Sequence, residues 1–290
     1  MTAGGDSKTW RVIDLINWGT DYFRRPGFEQ PRREIEWLLG EFLNCKRLDL
    51  YLRFEEPFTA EMLTRFRGWV KRRINHEPLQ YISGKTEFYG LPFAVNPAVL
   101  IPRPETERLV ALALELIRSL DRPRILDVGT GSGCIAIALT HEYPVSEIVA
   151  VDISERALEL ARSNAAANGV AVEFAALDIL QAQPAGKFDL LISNPPYVTP
   201  AELAQLQPEV ASHEPQSALT DGADGLVFYR RFRDIAGEII NPGGWLVLEV
   251  GRGDHPRRAA ELFAGAAFGE VKLIKDFNGD DRVLKVRING

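Results

Sequence analysis

Cysteine and histidine are scarce: two and four among 290 residues. Cys45 and Cys134 lie in segments without metal-ligand spacing. That excludes a zinc module and a disulfide framework, and it is the usage expected of a reducing cytosol, with Cys134 expected simply to pack. No run approaches the roughly 18 uncharged apolar residues of a membrane span. The start of the chain, MTAGGDSKTW, lacks the basic-then-apolar layout of a signal peptide, so export is not expected. Internal repeats and low-complexity linkers are missing too, which excludes a solenoid. Positive charge is short where a nucleic-acid enzyme needs it. Residues 1–85 carry 15 basic and 12 acidic side chains, net +3, which leaves 19 against 28, net −9, for the remainder. An acidic larger part argues against a phosphate-neutralising face.

What is present is ordinary soluble composition, 46% hydrophobic and 26% charged, in a chain long enough for two domains. Residues 1–77 are expected to form a helical domain. Trp10, Ile13, Ile16 and Trp18 recur loosely at helical spacing, and Pro31 opens a second helix through Ile35, Trp37, Leu38, Leu39 and Phe42. Thr59 caps a third, whose face is Met62, Leu63, Phe66, Trp69, Val70 and Ile74. Arg65, Lys71 and Arg72 lie opposite; a solvated helix face is favoured over a surface for RNA or an acidic protein.

Residues 78–100 read as a hairpin linker, with EFYG and LPFAV around Gly90-Leu91-Pro92. From 101 to 290 helices and strands alternate. A helix over Glu105–Leu120 precedes RILDV (124–128), and IVAVD (148–152), VEFAA (172–176), FDLLI (188–192) and WLVLEV (245–250) follow with helices between them. VKLI (271–274) and RVLKV (282–286) flank the turn signal Asn278-Gly279 and should pair antiparallel. The expectation is an α/β domain with a mostly parallel sheet of seven strands.

Strand 124–128 runs into DVGTGSG (127–133), where glycines at 129, 131 and 133 let the chain turn tightly against a ligand at the next helix. Asp152 ends the following strand, placed to reach a ribose hydroxyl pair. Dehydrogenases and S-adenosylmethionine-dependent methyltransferases share that geometry. The dehydrogenase fingerprint requires a glycine where Cys134 stands, so methyl transfer is favoured. Asp178 follows the third strand, as an acceptor for an adenine amino group or as a helix cap, and Ile179 beside it can cover the adenine face.

SNPPYV (193–198) ends the fourth strand. Two prolines have no N–H, so this corner offers acceptors and almost no donors. Such a corner suits a planar NH₂ target: Asn194 Oδ1 and the Pro195 carbonyl each take one N–H, and Tyr197 stacks on the target plane. Holding a delocalised amide nitrogen in line with a methyl donor can lower the barrier by roughly 7–11 kcal/mol through positioning, with electrostatic preorganisation added. No histidine, metal or covalent nucleophile is required.

The chain resembles, over nearly its whole length, the HemK/PrmC-type glutamine methyltransferases that modify peptide chain release factors. EPLQYISGKTEFYG (77–90), VLIPRPETERLV (99–110), ILDVGTGSGCIAIAL (125–139), VDIS (151–154), SNPPYV, EPQSALTDGADGL (214–226) and DRVLKV (281–286) follow that family's pattern in order. The resemblance implies a Rossmann-like class I S-adenosylmethionine-dependent methyltransferase domain beside an N-terminal helical domain that helps grip the partner. It implies that Gly129, Thr130, Gly131, Ser132, Gly133, Asp152, Asp178, Ile179 and Asn194 hold the cofactor. Asn194, Pro195, Pro196 and Tyr197 would hold the glutamine of a Gly-Gly-Gln motif, with Asn194, Pro195 and Tyr197 catalytic. Ile179 stands where some members have an aromatic residue. Arg103 and Glu105 are expected near the cofactor entrance or, slightly preferred, in helix-start chemistry around Pro104. His213, in an expected loop, receives no role.

NPPY is shared with enzymes that methylate adenine N6 or guanine N2 of DNA or RNA, and such an enzyme is the alternative. It would need a base-flipping recognition region and a basic groove, and neither is apparent. A binding module without catalysis is a third reading, opposed by the intact Asn194, Pro195 and Tyr197. A monomeric, cytoplasmic enzyme that takes no membrane or nucleic-acid partner is expected.

Overall fold

Val12, Leu15, Ile16 and Phe23 occupy one side of the first helix, α1 (Val12–Arg24), and all four are buried. Gly19 shares that side because a Cβ there would lie 2.3 Å from Ile35 Cγ1, so the glycine admits α2 (Pro31–Leu43) at close range. The computed structural model describes residues 9–289 apart from Pro26 and Phe277, and the chain divides into units Met1–Ser83 and Gly84–Gly290.

The first unit continues with α3 (Asp49–Leu52), α4 (Ala60–Ile74) and α5 (Leu79–Ser83). Thr59 Oγ1 caps α4 by accepting the Met62 N–H, and all six apolar residues expected on that helix's inner face join the core with Phe23, Ile35 and Leu39. The cation cluster opposite is not uniformly solvated. Arg72 forks onto Glu77 (2.8 and 2.5 Å) and also donates to the Tyr81 carbonyl, bracing α4 against α5. Buried Glu36 is the other polar strut. Burial works to raise its pKa, but hydrogen bonds from Arg32, Arg47 and Tyr51 outweigh it, and its carboxyl stays below the ordinary range.

The hairpin β1 (Lys85–Phe88) and β2 (Leu91–Ala94) falls within the second unit. Its turn is Tyr89-Gly90, both at positive φ, one residue earlier than the Gly90-Leu91-Pro92 signal suggests. That is the combination a tight two-residue hairpin turn requires. A short 3-10 turn (Pro104–Thr106) leads into α6 (Glu107–Ile117).

The remaining strands are β3 (Arg124–Val128), β4 (Glu147–Asp152), β5 (Glu173–Ala176), β6 (Phe188–Ser193), β7 (Ile240–Glu249), β8 (Phe268–Lys275) and β9 (Asp281–Ile288). They form one seven-stranded sheet in the order β5-β4-β3-β6-β7-β9-β8. The first five are parallel, and β9 runs antiparallel to both β7 and β8, as the closing turn signal implied. Between them run α7 (Cys134–Glu142), α8 (Glu155–Ala167), α12 (Val227–Ile239) and α13 (His255–Glu261). Three short helices, α9 (Pro200–Leu203), α10 (Pro208–His213) and α11 (Gln216–Leu219), fill the stretch after SNPPYV. His213 therefore ends a helix, half-buried, where a solvated loop was expected.

Parallel strands covered on both faces need apolar residues on both. Accordingly Ile125, Leu190 and Val247 pack with α6 and α7, while their neighbours Leu126, Leu191 and Leu246 pack with α12 and α13. Among the described residues no helix is long and apolar enough to cross a membrane.

Candidate active site

Strand register assembles the site. Val128 pairs with Val151 on one side and with Ser193 on the other, and Ser193 pairs with Leu248. One residue further on, Asp152, Gly129, Asn194 and Glu249 therefore form a row along the carboxyl edge of β4, β3, β6 and β7. At roughly 4.8 Å per strand, the row links the glycine loop to the proline corner.

The glycine loop is held by its own neighbours. Gly129, Gly131 and Gly133 all have positive φ. The N–H groups of Gly129 and Thr130 donate to the Val151 carbonyl, and that of Gly131 donates to Asp152 Oδ2 at 2.9 Å. Asp152 Oδ1 accepts the Ser154 N–H, so each oxygen keeps a lone pair for a ligand hydroxyl. Burial raises this carboxyl's pKa. Behind the loop, buried Asp127 accepts from Thr130 Oγ1 at 2.7 Å, and burial pushes it up to about 7. Gly133 stands apart from the ligand-facing residues. It caps α7, where a Cβ would lie 2.9 Å from Ile137 Cδ1 and 3.2 Å from Ala161 Cβ, so its demand is packing.

A cavity of about 320 Å³ opens in front of the loop, and Thr130, Ser132, Asp152, Asp178, Ile179 and Asn194 are among its walls. No helix directly follows Asp178, so it does not cap one; its carboxylate accepts the Leu180 N–H and the Gln181 side-chain N–H, bracing a turn, while it also faces the cavity. Ile179 is nearly buried. Beside it Ile153 and Leu180, which the sequence pattern did not single out, present exposed apolar surface. Ser132 Oγ is buried at the wall without a protein partner among the described residues. Cys134 packs behind, its thiol pushed up to about 12 by burial.

A second cavity of about 350 Å³ lies on the other side of the corner, and Asn194, Leu100, Arg103 and Ala218 belong to both. Pro195 and Tyr197 face this second cavity, whereas Pro196, expected with the target, lines the first. Arg103 starts the 3-10 turn, in line with the helix-start reading: it caps Pro104–Thr106, and its carbonyl accepts the Thr106 N–H. It pairs with buried Glu214, whose other oxygen accepts the Ile101 N–H, and so forms part of the shared wall. Glu105 lines the second cavity.

The corner is fixed from behind by residues that the sequence pattern did not mark. Ser193 Oγ donates to the Val128 carbonyl at 2.7 Å. Asn194 Nδ2 donates to Thr106 Oγ1 (3.3 Å), Thr106 Oγ1 donates to Glu249 Oε2 (2.6 Å), and the Tyr197 hydroxyl donates to Glu249 Oε1 (3.3 Å). Burial pushes Glu249 up to about 7, opposed by Thr106, the Arg282 charge and Tyr197. Burial, with the Glu249 charge, raises the Tyr197 phenol well above its usual range, so it stays a neutral donor. His255 braces the same corner. Its Nδ1 accepts the Gly251 N–H (3.1 Å), which leaves the ring proton on Nε2 to be donated to the Gly225 carbonyl (2.9 Å). Burial lowers the pKa of that ring and keeps it neutral. One signal for Glu249 existed in the sequence: a carboxylate inside the apolar run WLVLEV.

The walls fit an adenosyl amino acid. Ile153 and Leu180 can cover a base, Asp152 can accept from ribose hydroxyls, and the unpartnered Ser132 Oγ and the glycine loop can meet the polar tail.

Comparisons with known proteins agree with this geometry. A family model described as "PrmC N-terminal domain" matches residues 14–84, and one described as "Methyltransferase small domain" matches residues 109–233. The chain is 42% identical over 279 residues to the release factor glutamine methyltransferase of Geobacter sulfurreducens, covering 96% of this chain and 97% of that one. It is 41% identical over 292 residues to that of Chlorobaculum tepidum, covering 96% and 98%. Among solved structures, a methyltransferase from Pyrococcus furiosus aligns with TM-score 0.51 at 18% identity, over 80% of this chain and all of that one. The hMettl16 catalytic domain in complex with MAT2A 3′UTR hairpin 6 aligns with TM-score 0.55 at 16% identity, over 80% and 82%. At those identities the likeness is one of fold.

Proposed function

The chain belongs to the release factor glutamine methyltransferase family, and on that premise we propose that it methylates the side-chain nitrogen of the glutamine in the Gly-Gly-Gln motif of a peptide chain release factor. The observation that carries this reading is the position of Asn194, in the wall shared by two cavities, at the end of a corner that offers acceptors. S-adenosylmethionine, bound in the cavity before the glycine loop, supplies the electrophilic methyl group.

The chain's residues supply position and charge. Asp152 takes the ribose hydroxyls, Asp178 the adenine amino group, and Ile153, Ile179 and Leu180 the faces of the base. On the other side, Asn194 Oδ1 and the Pro195 carbonyl each accept one N–H of the target amide. That rotates the nitrogen lone pair towards the first cavity and stabilises the positive charge that grows on nitrogen until one of the two held N–H protons is released to solvent. Tyr197, neutral and tied to Glu249, packs against the amide plane. The helical unit adds grip on the protein substrate. A cytosolic monomer is part of this reading.

A methylation assay tests it, with labelled S-adenosylmethionine, a release factor, and that factor with the motif glutamine changed to alanine. Label on the wild-type factor alone is expected. An unlabelled factor beside labelled DNA or RNA would overturn the reading in favour of an adenine or guanine amino-group methyltransferase.

A further inference from the structure

We propose that Thr106 and Glu249 are positioning residues that fix the direction of the Asn194 amide, so that its oxygen and not its nitrogen faces the target. This rests on the role given above to Asn194. A carboxylate can only accept, so at 2.6 Å from Glu249 Oε2 the single proton of the Thr106 hydroxyl is committed to Glu249. Thr106 Oγ1 then has only lone pairs for Asn194, and the 3.3 Å contact to it must be made by the amide's NH₂. The amide oxygen is thereby turned away from Thr106. The same carboxylate holds the other end of the corner through the Tyr197 hydroxyl. Glu249 thus spans Asn194 and Tyr197, two residues whose separate side chains must present one acceptor and one ring to the same small group.

The device is directional, and protonation reverses it. A neutral Glu249 carries a proton that it can donate to Thr106. The Thr106 proton is then free to point at Asn194, which favours the amide oxygen inward and the NH₂ outward, a donor facing a target that also donates. Burial holds this carboxyl near 7, where such a change is accessible. The groups facing it are the Thr106 and Tyr197 hydroxyls, the Arg282 guanidinium from β9, Glu105 of the 3-10 turn, the Tyr229 phenol of α12 and the Cys134 thiol of α7. Tyr229 donates to the Glu249 backbone carbonyl at 2.5 Å and not to its carboxylate.

The test pairs turnover on a release factor with a readout that needs no substrate. Thr106→Val removes the hydroxyl at nearly constant shape and should lower kcat on the order of tenfold to a hundredfold, the scale of losing a hydrogen-bond partner that orients a contacting residue. S-adenosylmethionine affinity should stay within about threefold. Thr106→Ser, which keeps the hydroxyl, should recover most of the loss. Wild-type kcat should rise as pH increases through about 7, and Glu249→Gln should be slow and lack that limb. In the enzyme alone, the Asn194 side-chain amide resonance should shift with Thr106→Val and, in the wild type, with the same pH step. Full turnover by Thr106→Val, or an Asn194 resonance blind to both perturbations, would overturn the inference. A wild-type enzyme inactive on release factors whose Asn194 resonance still responds would instead overturn the proposed substrate and leave the positioning intact.

Discussion

Changing Gly225 to alanine should damage stability and turnover together, and the neighbouring Gly222 supplies the control. Both glycines sit in the loop after α11 at similar angles, φ +79° for Gly225 and +73° for Gly222. A Cβ in that region costs roughly 1–2 kcal/mol whatever surrounds it. At Gly222 the added Cβ meets nothing within 4 Å, so Gly222→Ala should cost about that and no more. At Gly225 the Cβ would stand 2.4 Å from the Tyr197 carbonyl oxygen, 3.2 Å from its carbon and 3.4 Å from His255 Cδ2. Backbone cannot swing aside as a lysine tip can. Either Tyr197 moves, or Gly225 retreats and gives up the hydrogen bond its carbonyl receives from His255 Nε2, worth about 0.5–1.5 kcal/mol. Gly225→Ala should therefore cost about 1.5–3.5 kcal/mol in all. With a urea slope near 3 kcal/mol/M for a chain of this size, the two midpoints should differ by about 0.2–0.5 M. Turnover separates them further. The displaced atom belongs to the proline corner, and a shift of about 1 Å there can cost on the order of a hundredfold, whereas Gly222→Ala should keep kcat within a few-fold. Equal midpoints and equal kcat for the two variants would refute the claim that Gly225 is glycine for the sake of Tyr197.

Asn194→Ala should lower kcat by about 10²–10³ while cofactor affinity, measured by calorimetry, changes far less; turnover near wild type would sink the mechanism. Asp152→Ala should act in the opposite sense, weakening S-adenosylmethionine binding by roughly tenfold or more, because both the ribose acceptor and the Gly131 tether are lost; unchanged calorimetric affinity would contradict the placement of the ribose. His255 gives a pH prediction. Its folded pKa is depressed, first by burial, so the stability it contributes is fully present above about 6.5, the unfolded value. That stability is lost as pH falls through the lower folded value, where a second ring proton would confront the Gly251 N–H. An NMR titration of the His255 ring with its midpoint at or above 6.5 would refute this.

The reach of the sequence follows from what is local in it. Helix and strand periods, the glycines at 129, 131 and 133, the acceptor corner and the antiparallel pair at the end are all written in short windows, and the sheet that they imply is the one observed. Boundaries moved where local signals compete. Trp245 opens the apolar run of β7, but the strand begins at Ile240, through an Asn-Pro-Gly-Gly stretch that reads as a turn. The short helices α9, α10 and α11 lack the length for a readable period. Asp178 was expected to cap a helix or to accept from a ligand; no helix directly follows it, and its carboxylate braces a turn at the cavity wall instead. Arg103 was legible as the start of the 3-10 turn, but its ion pair was not, because the partner Glu214 is 111 positions away.

Thr106, Glu249 and His255 stayed hidden for the same reason, and the register shows what would have revealed them. Each strand's last residue can be guessed from sequence, so Asp152, Asn194 and Glu249 were all available as strand ends. What no short window contains is that β6 sits between β3 and β7, with Ser193 opposite both Val128 and Leu248. Given that order, the row Asp152, Gly129, Asn194, Glu249 follows by counting one residue onward, with a buried carboxylate at the far end from the cofactor loop. A carboxylate there is costly unless it is fully hydrogen-bonded. Its Thr106 and Tyr197 partners are the residues that tie it to the corner. The group that satisfies Glu249 and the group that orients Asn194 are therefore one and the same hydroxyl. Removing it cannot be neutral for both stability and turnover, which makes Thr106 the position where the fold's requirements and the reaction's can be separated by experiment.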